Sequence, residues 1–427
     1  MSKPEKIKHQ TAETPRCSIL KEMVKLRPMS RDLCLACKGG RLLCGQSPCP
    51  LISKIQFQGP AEQKLSQDMF GPSPSIFVGW HGYPEVNVGP MTGIETGNAA
   101  LLDDPGAWYG LGFDEIINLR TQLVRSKKPV DVHTRERYIL ENQEIALSVK
   151  PIDVESHFKK KPSYSMNFSP ISQPMGPTGV LERMRITENP KIPKRVDYVV
   201  NDELRAADAA SILFRENHDV YYLTNILSSG ALGMDERKKL VPTRWSITAV
   251  DDIIAKNLME EIRTYPAIND FLVYSNQYLE NHFEILLIPG GWEFEQFEAW
   301  APGSLWTLSR TKPVIVQENE AHEGRTKYAF NEGGGYYAGR LGVVEALWKM
   351  KRQARCVVFR EIYEGYVVPV GVWEVRENVR KAMQNPPKKF NTLKEALQHI
   401  KEKLRLPLAD YMKKSEILKQ RRLDEFY

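Results

Sequence analysis

Apolar positions recur at helical spacing in several stretches of the chain. Phe113, Ile116, Ile117, Leu119, Leu123 and Val124 predict a helix over 113–124, and 136–148 reads the same way. Leu204, Ala207, Ala210, Ser211, Leu213 and Phe214 mark a packed helix over 203–215. Thr248-Ala249-Val250-Asp251 has the capping-box form, with Asp251 where that box wants an acid. Ile254, Leu258 and Ile262 follow at four-residue spacing, so a helix is expected over 249–263. Further helices are expected over 341–352 and 374–383, and a last one from the cap Thr392 through Leu393, Leu397, Ile400 and Leu404. Short apolar or alternating runs predict strands at 75–80, 180–187, 195–200, 271–275, 282–288, 304–308, 314–317, 355–361 and 366–372. Successive strands with short turns after residue 271 are the pattern of an antiparallel sheet. There is no internal repeat and no regular strand–helix–strand alternation. The fold class is α+β, with mixed or antiparallel sheets and packed helices.

Punctuation divides the chain into a basic arm (1–33), a cysteine-rich module (34–50), a first α+β region (51–178), a second (179–405) and a C-terminal peptide tail (406–427). Pro162, Pro170, Pro174 and Pro177 mark an irregular lid or linker before the second region. A chain of 427 residues exceeds what one core organises, so two or more domains follow. No run of about eighteen apolar residues occurs, and the polar, Lys-rich start carries no secretory signal; a cytoplasmic protein with no membrane span is expected. The formal charge of +6 is a mild bias, compatible with polyanion binding but well short of a dedicated nucleic-acid module.

Four of the six cysteines, Cys34, Cys37, Cys44 and Cys49, crowd into one knot that opens with Cys-x2-Cys. The turn inside such a pair aims both sulfurs inward, and Gly39, Gly40 and Gly45 let the backbone fold tightly behind them. Four thiolates with no histidine beside them suit one structural, tetrahedral zinc. An iron–sulfur cluster, two disulfides and four free cysteines are the alternatives on the same spacing. Cys17 and Cys356 lie outside it and read as non-ligands.

Signals for chemistry elsewhere are weaker. His81 sits among glycines between two strands, as a site wall or as part of a turn. Arg244, Asp252, His322, Arg325 and Arg340 are polar residues between predicted elements. With His81 they make a candidate site between the two regions, in which Mg²⁺ or Mn²⁺ would serve a nuclease or a nucleotide-processing hydrolase. No spacing is diagnostic of such a metal, and the hydrolase elbow, zinc-protease helix and kinase motifs are missing from the sequence. Gly333, Gly334 and Gly335 ahead of a helix suggest a phosphate loop with Arg325 and Arg340 as cations, although the run matches neither a P-loop nor a dinucleotide fingerprint. Trp292, Phe294, Phe297, Trp300 and Trp306 read as core aromatics in preference to base-stacking ones.

The last eight residues put Gln420, Leu423, Phe426 and Tyr427 at a spacing that gathers the three apolar side chains on one side of a short 3₁₀ turn, an anchor for an apolar pocket. This octapeptide resembles the PCNA-interacting (PIP) box that attaches replication and repair proteins to the sliding clamp. Together with the cysteine knot and the segments Pro-Ser-Ile-Phe-Val-Gly-Trp-His-Gly-Tyr-Pro and Gly-Gly-Gly-Tyr-Tyr-Ala-Gly-Arg, it makes the whole chain similar to the archaeal Nre (novel repair) family, its NreA branch in particular. The tail ends Phe-Tyr where many such boxes end Phe-Phe. The resemblance implies a part in DNA repair on the PCNA clamp, with DNA as a further partner; it fixes no reaction. Roles carry over to the four cysteines and to Gln420, Leu423, Phe426 and Tyr427 alone.

Overall fold

The computed structural model describes residues 58–95, 97–164, 175–304, 312–366 and 368–419. The cysteine knot, the octapeptide 420–427, Trp306 and most of the expected strand at 304–308 lie outside the described residues.

The first sheet contains β1 (Asp68–Ser73), β2 (Ser75–Val78), β3 (Glu85–Gly93), β4 (Leu123–Asp131), β5 (Ile152–Phe158) and β6 (Thr178–Ile186), in the order β1-β5-β6-β4-β3-β2. Its pairs are antiparallel except β4 with β6. Helices α1 (Phe113–Thr121) and α2 (Arg137–Leu147) belong to the same region. Four helices follow: α3 (Lys194–Val200), α4 (Ala206–Arg215), α5 (Val220–Ser228) and α6 (Thr243–Ile262). The second sheet is built from β7 (Phe271–Tyr278), β8 (Asn281–Ile288), β9 (Glu293–Trp300), β10 (Val314–Glu320), β11 (Arg355–Ile362) and β12 (Lys388–Phe390), in the order β10-β9-β11-β8-β7-β12, with β9 and β11 parallel. Helices α7 (Gly334–Met350), α8 (Trp373–Gln384), α9 (Leu393–Lys403) and α10 (Leu408–Met412) complete the chain. The architecture is α+β with two mixed sheets. Among the described residues no helix is long and apolar enough to cross a membrane.

The second sheet is the middle layer of three, and the pleat shows why. Successive side chains of a strand point to opposite faces. On β11, Cys356 and Val358 join the cluster holding Val250, Ile254 and Leu258 of α6, Leu341 and Val344 of α7, and Val379 of α8. Val357 and Phe359 pack instead with Ala396 and Ile400 of α9 and Tyr411 of α10. Strands covered on both faces read as continuous apolar runs, which is how 282–288 and 355–361 were recognisable. The last turn of the described chain belongs to this layer too: the Ser415 hydroxyl and the Glu416 N–H donate to the Glu295 carboxylate.

Two seams join the halves. Edge strand β2 is covered by helices, with Ile76 N–H donating to Asn225 Oδ1 (3.2 Å) and Val78 N–H to Thr243 Oγ1 (3.0 Å). Trp108 and Ile116 pack with Trp300, Ile362 and Trp373 in a second seam.

Several expected elements differ. Residues 195–200 are helical: Val196, Val199 and Val200 are buried at i, i+3 and i+4, a periodicity too short to separate from a β-branched strand. Helix α6 begins at Thr243, ahead of the capping-box motif, and Asp251 is buried in an ion pair with Arg376 instead of capping. The described residues of the strand expected at 366–372 form no strand; the Val370 N–H is satisfied by the Tyr366 hydroxyl. The helix predicted over 113–124 stops at Thr121, and Leu123 opens β4. Helix α9 starts as expected, with the reciprocal Thr392–Glu395 capping box in place.

Candidate functional site

Helix α6 brings the polar residues read from the sequence into two groups. The inner group surrounds Arg340 of α7. Its guanidinium donates to Glu320 Oε2 (2.7 Å) and to Asp252 Oδ1, while Tyr336 and Tyr337 lie within cation–π distance. Arg340 and Glu320 are buried. Burial alone would discharge the arginine, but Glu320, Tyr336 and Asp252 outweigh it and hold the group more firmly protonated than usual. Asp252 also receives Lys256 Nζ at 2.7 Å. Arg325 pairs with Glu318 (2.9 Å) and lies over the Tyr336 ring, 4.6 Å from its centroid. His322 stands at the Gly290–Gly291 turn, where a β-carbon on Gly291 would come within 3.4 Å of its Nδ1. Among the described residues no group of three or more His, Cys, Asp or Glu side chains is arranged to hold a metal.

Gly333, Gly334 and Gly335 form the start of α7, with Gly333 at φ +59°, a conformation that side chains resist. The glycines admit a close approach of the helix to β9. A β-carbon at Gly335 would fall 2.2 Å from Glu298 Oε1, and one at Gly339 would fall 2.0 Å from Gln296 Oε1. The helix N-terminus, which favours negative charge, thus faces the chain's own Glu298 carboxyl, and Glu332 lies just ahead of it. Desolvation, and after it the Glu298 charge, pushes Glu332 far above the ordinary carboxylate range. Arg360 binds Glu298 (2.6 Å) and Glu374 (3.4 Å) on the same side.

The outer group lies at the first turn of α6 and the loop between β2 and β3. His81 stacks on Trp80 with centroids 3.8 Å apart, and Arg244 lies over Trp80 at 5.7 Å. Tyr83 meets Trp245 at 5.0 Å, and Lys239 Nζ reaches the Tyr83 hydroxyl at 3.3 Å. Trp80, Tyr83 and Trp245 are 41%, 40% and 43% exposed, an unusual state for three large neighbouring rings. The loop that carries Trp80 and Tyr83 is braced: Gly79 N–H donates to Asn87 O (2.7 Å), Glu85 N–H to Gly82 O (3.0 Å) and Val132 N–H to Pro84 O (3.1 Å). Gly82, at φ +86°, makes the turn, and the Tyr83–Pro84 peptide is cis.

Sequence reasoning therefore found His81 and Arg244 but missed their aromatic partners. The available signal was Trp-His-Gly-Tyr-Pro on one side and Arg-Trp on the other, aromatic rings set among polar and turn residues. The aromatics singled out instead, Trp292, Phe294, Phe297 and Trp300, are buried core residues, as expected of large aromatics.

Two family models match the chain, "Archaeal Nre, N-terminal" over residues 43–307 and "Archaeal Nre, C-terminal" over residues 320–426. Three curated relatives match over most of their length. DNA repair protein NreA of Archaeoglobus fulgidus is 39% identical over 85% of this chain and 92% of its own. DNA repair protein NreB of the same organism is 37% identical over 92% and 99%. DNA repair protein NreA of Haloferax volcanii is 36% identical over 84% and 89%. No solved structure matches the chain.

Proposed function

The chain belongs to the archaeal Nre family, and from that premise we propose that it is a cytoplasmic DNA repair factor, recruited to DNA by the PCNA sliding clamp. The observation that carries the reading is the near full-length likeness to three proteins named for DNA repair, covering 84–92% of this chain. Identities of 39% and 37% to NreA and NreB of one organism are too close to select a branch.

In this reading Gln420, Leu423, Phe426 and Tyr427 form the clamp anchor, and Cys34, Cys37, Cys44 and Cys49 hold one structural zinc that folds a segment with little core of its own. The body then works at the concentration of DNA near the ring, so a micromolar tail contact and a modest charge of +6 suffice. Calorimetry against purified clamp tests the anchor. The full chain should bind, and deletion of 420–427 should abolish binding while leaving the circular dichroism spectrum intact. Equal affinity for the truncated chain would refute it. Incubation of labelled DNA and nucleotides with Mg²⁺ or Mn²⁺ tests the hydrolase alternative in the same preparations.

A further inference from the structure

We propose that Trp80, His81, Tyr83 and Trp245, with Arg244 and Lys239 at their edges, form a stacking platform for single-stranded nucleic acid. The proposal rests on the DNA-repair reading above and names the strand form that the body takes.

Stacking needs exposed ring faces, and the described surface has them here. Each of the three large aromatic residues is about two-fifths exposed. His81, itself exposed, extends the Trp80 stack outward, so an incoming base continues the pile on the imidazole. Tyr83 and Trp245, tilted at 54°, make a second contact next to it. Bases in a duplex have both faces covered by their neighbours, so rings of this kind engage unpaired bases and show little sequence preference.

Charge points to the same occupant. Arg244 lies over Trp80, and Lys239 over the hydroxyl end of Tyr83, placing cations where a strand laid across the rings would carry its phosphates. The stretch that supplies them, Asp235 to Arg244, contains Arg237, Lys238, Lys239 and Arg244 against Asp235 and Glu236, and Asp235 pairs with both Arg135 (2.8 Å) and Lys238 (3.8 Å).

The rings are also held in place before any ligand arrives. The loop is tied to β3 and to the chain after β4, and Thr243, one residue before Arg244, accepts from Val78 at the base of the loop. A preorganised surface loses less entropy on binding.

The test is fluorescence anisotropy of labelled oligothymidylate and of a matched duplex, using the full chain at low salt, with Trp80→Ala, Trp245→Ala and the double variant. Each truncation should weaken oligothymidylate binding about ten-fold, and the pair about a hundred-fold. Trp80→Phe should retain most of the affinity, and Tyr198→Ala, an exposed ring elsewhere, should change nothing. Duplex binding and tail-dependent capture by the clamp should be unaltered. The platform is overturned if the double variant binds oligothymidylate like the parent chain, or if duplex binding falls equally. It is overturned as well if clamp capture is lost in place of DNA, which would make this face a protein contact. A parent chain that binds no oligothymidylate also sinks it, while clamp capture in the same samples reports separately on the reading beneath it.

Discussion

Replacing Asp251 by Ala should cost the fold far more than its polar character suggests. Asp251 on α6 meets Arg376 on α8 through two bonds, Nε to Oδ1 at 3.0 Å and Nη2 to Oδ2 at 2.6 Å. Both side chains are about 2% exposed or less, and the guanidinium lies 5.0 Å from the Tyr221 ring. An exposed pair would contribute about 0–1 kcal/mol. Here truncation of the acid leaves a buried cation without its counter-charge, and breaking such a pair costs about 3–5 kcal/mol. Replacing both partners by apolar residues of similar volume, Asp251→Leu with Arg376→Met, removes the charge that the single variant strands, so most of the loss should return. Urea unfolding followed by circular dichroism, run on both singles and the double, measures the coupling. A single-variant loss below about 1 kcal/mol would refute the reasoning by showing that water or rearrangement solvates Arg376. So would a double variant as unstable as the worse single.

Three further outcomes are expected. Gly339→Ala drives a methyl into the Gln296 amide, 2.0 Å from its oxygen, and should destabilise the protein by about 1–3 kcal/mol in the same assay. Glu374 is pushed up to about 7, by desolvation first, with Arg360 and an Asn378 hydrogen bond opposing. The native state therefore holds a proton that the unfolded chain has released, so this group's stability is present below about pH 4.5 and lost as pH rises through 7. Glu374→Gln should flatten that fall in unfolding free energy between these limits, and an unchanged pH profile would contradict it. Metal analysis of the full chain should return about one zinc, lost in a Cys34→Ser/Cys37→Ser variant; a brown, iron-containing protein would overturn zinc.

Elements whose pattern is set by their own neighbours were legible in the sequence: α2, α9 with its capping box, and the doubly covered strands β8 and β11. Those decided by distant partners were not. Strand β9 is Glu-Phe-Glu-Gln-Phe-Glu-Ala-Trp, and its carboxylates make it look like surface, yet Glu295 and Glu298 are buried against Ser415 and Arg360. The glycines of α7 looked like a loop because their reason lies on β9, in side chains that leave no room for a β-carbon. Arg340 and Asp252 could be picked out as unusual residues, but the sequence held nothing to say that each answers the other. The exposed platform escaped for the opposite reason: its two halves, Trp80 to Tyr83 and Lys239 to Trp245, are separated by more than 150 residues and meet only because α6 covers the β2 edge.

Helix α6 is what makes one body of these parts. Its first turn presents Arg244 and Trp245 to solvent, while Asp251 and Asp252, roughly 10 Å further along at 1.5 Å per residue, grip α8 and α7 through Arg376 and Arg340. The outer rings are thereby mounted on the same rigid layer that covers the second sheet. A base stacked on Trp245 needs little ordering of the protein beneath it, so the binding free energy goes into holding the strand. The proposed tethering by the tail would act on a different quantity, the local concentration of DNA. On the proposed reading the two effects would multiply in occupancy, and a chain with a charge of only +6 would stay on DNA in the presence of the clamp and leave it otherwise. It follows that removing the tail should lower occupancy equally at all single-stranded sites near a clamp, whereas Trp80→Ala with Trp245→Ala should lower it by the same factor with or without the clamp. Unequal factors would mean that the platform and the tail act on one another directly.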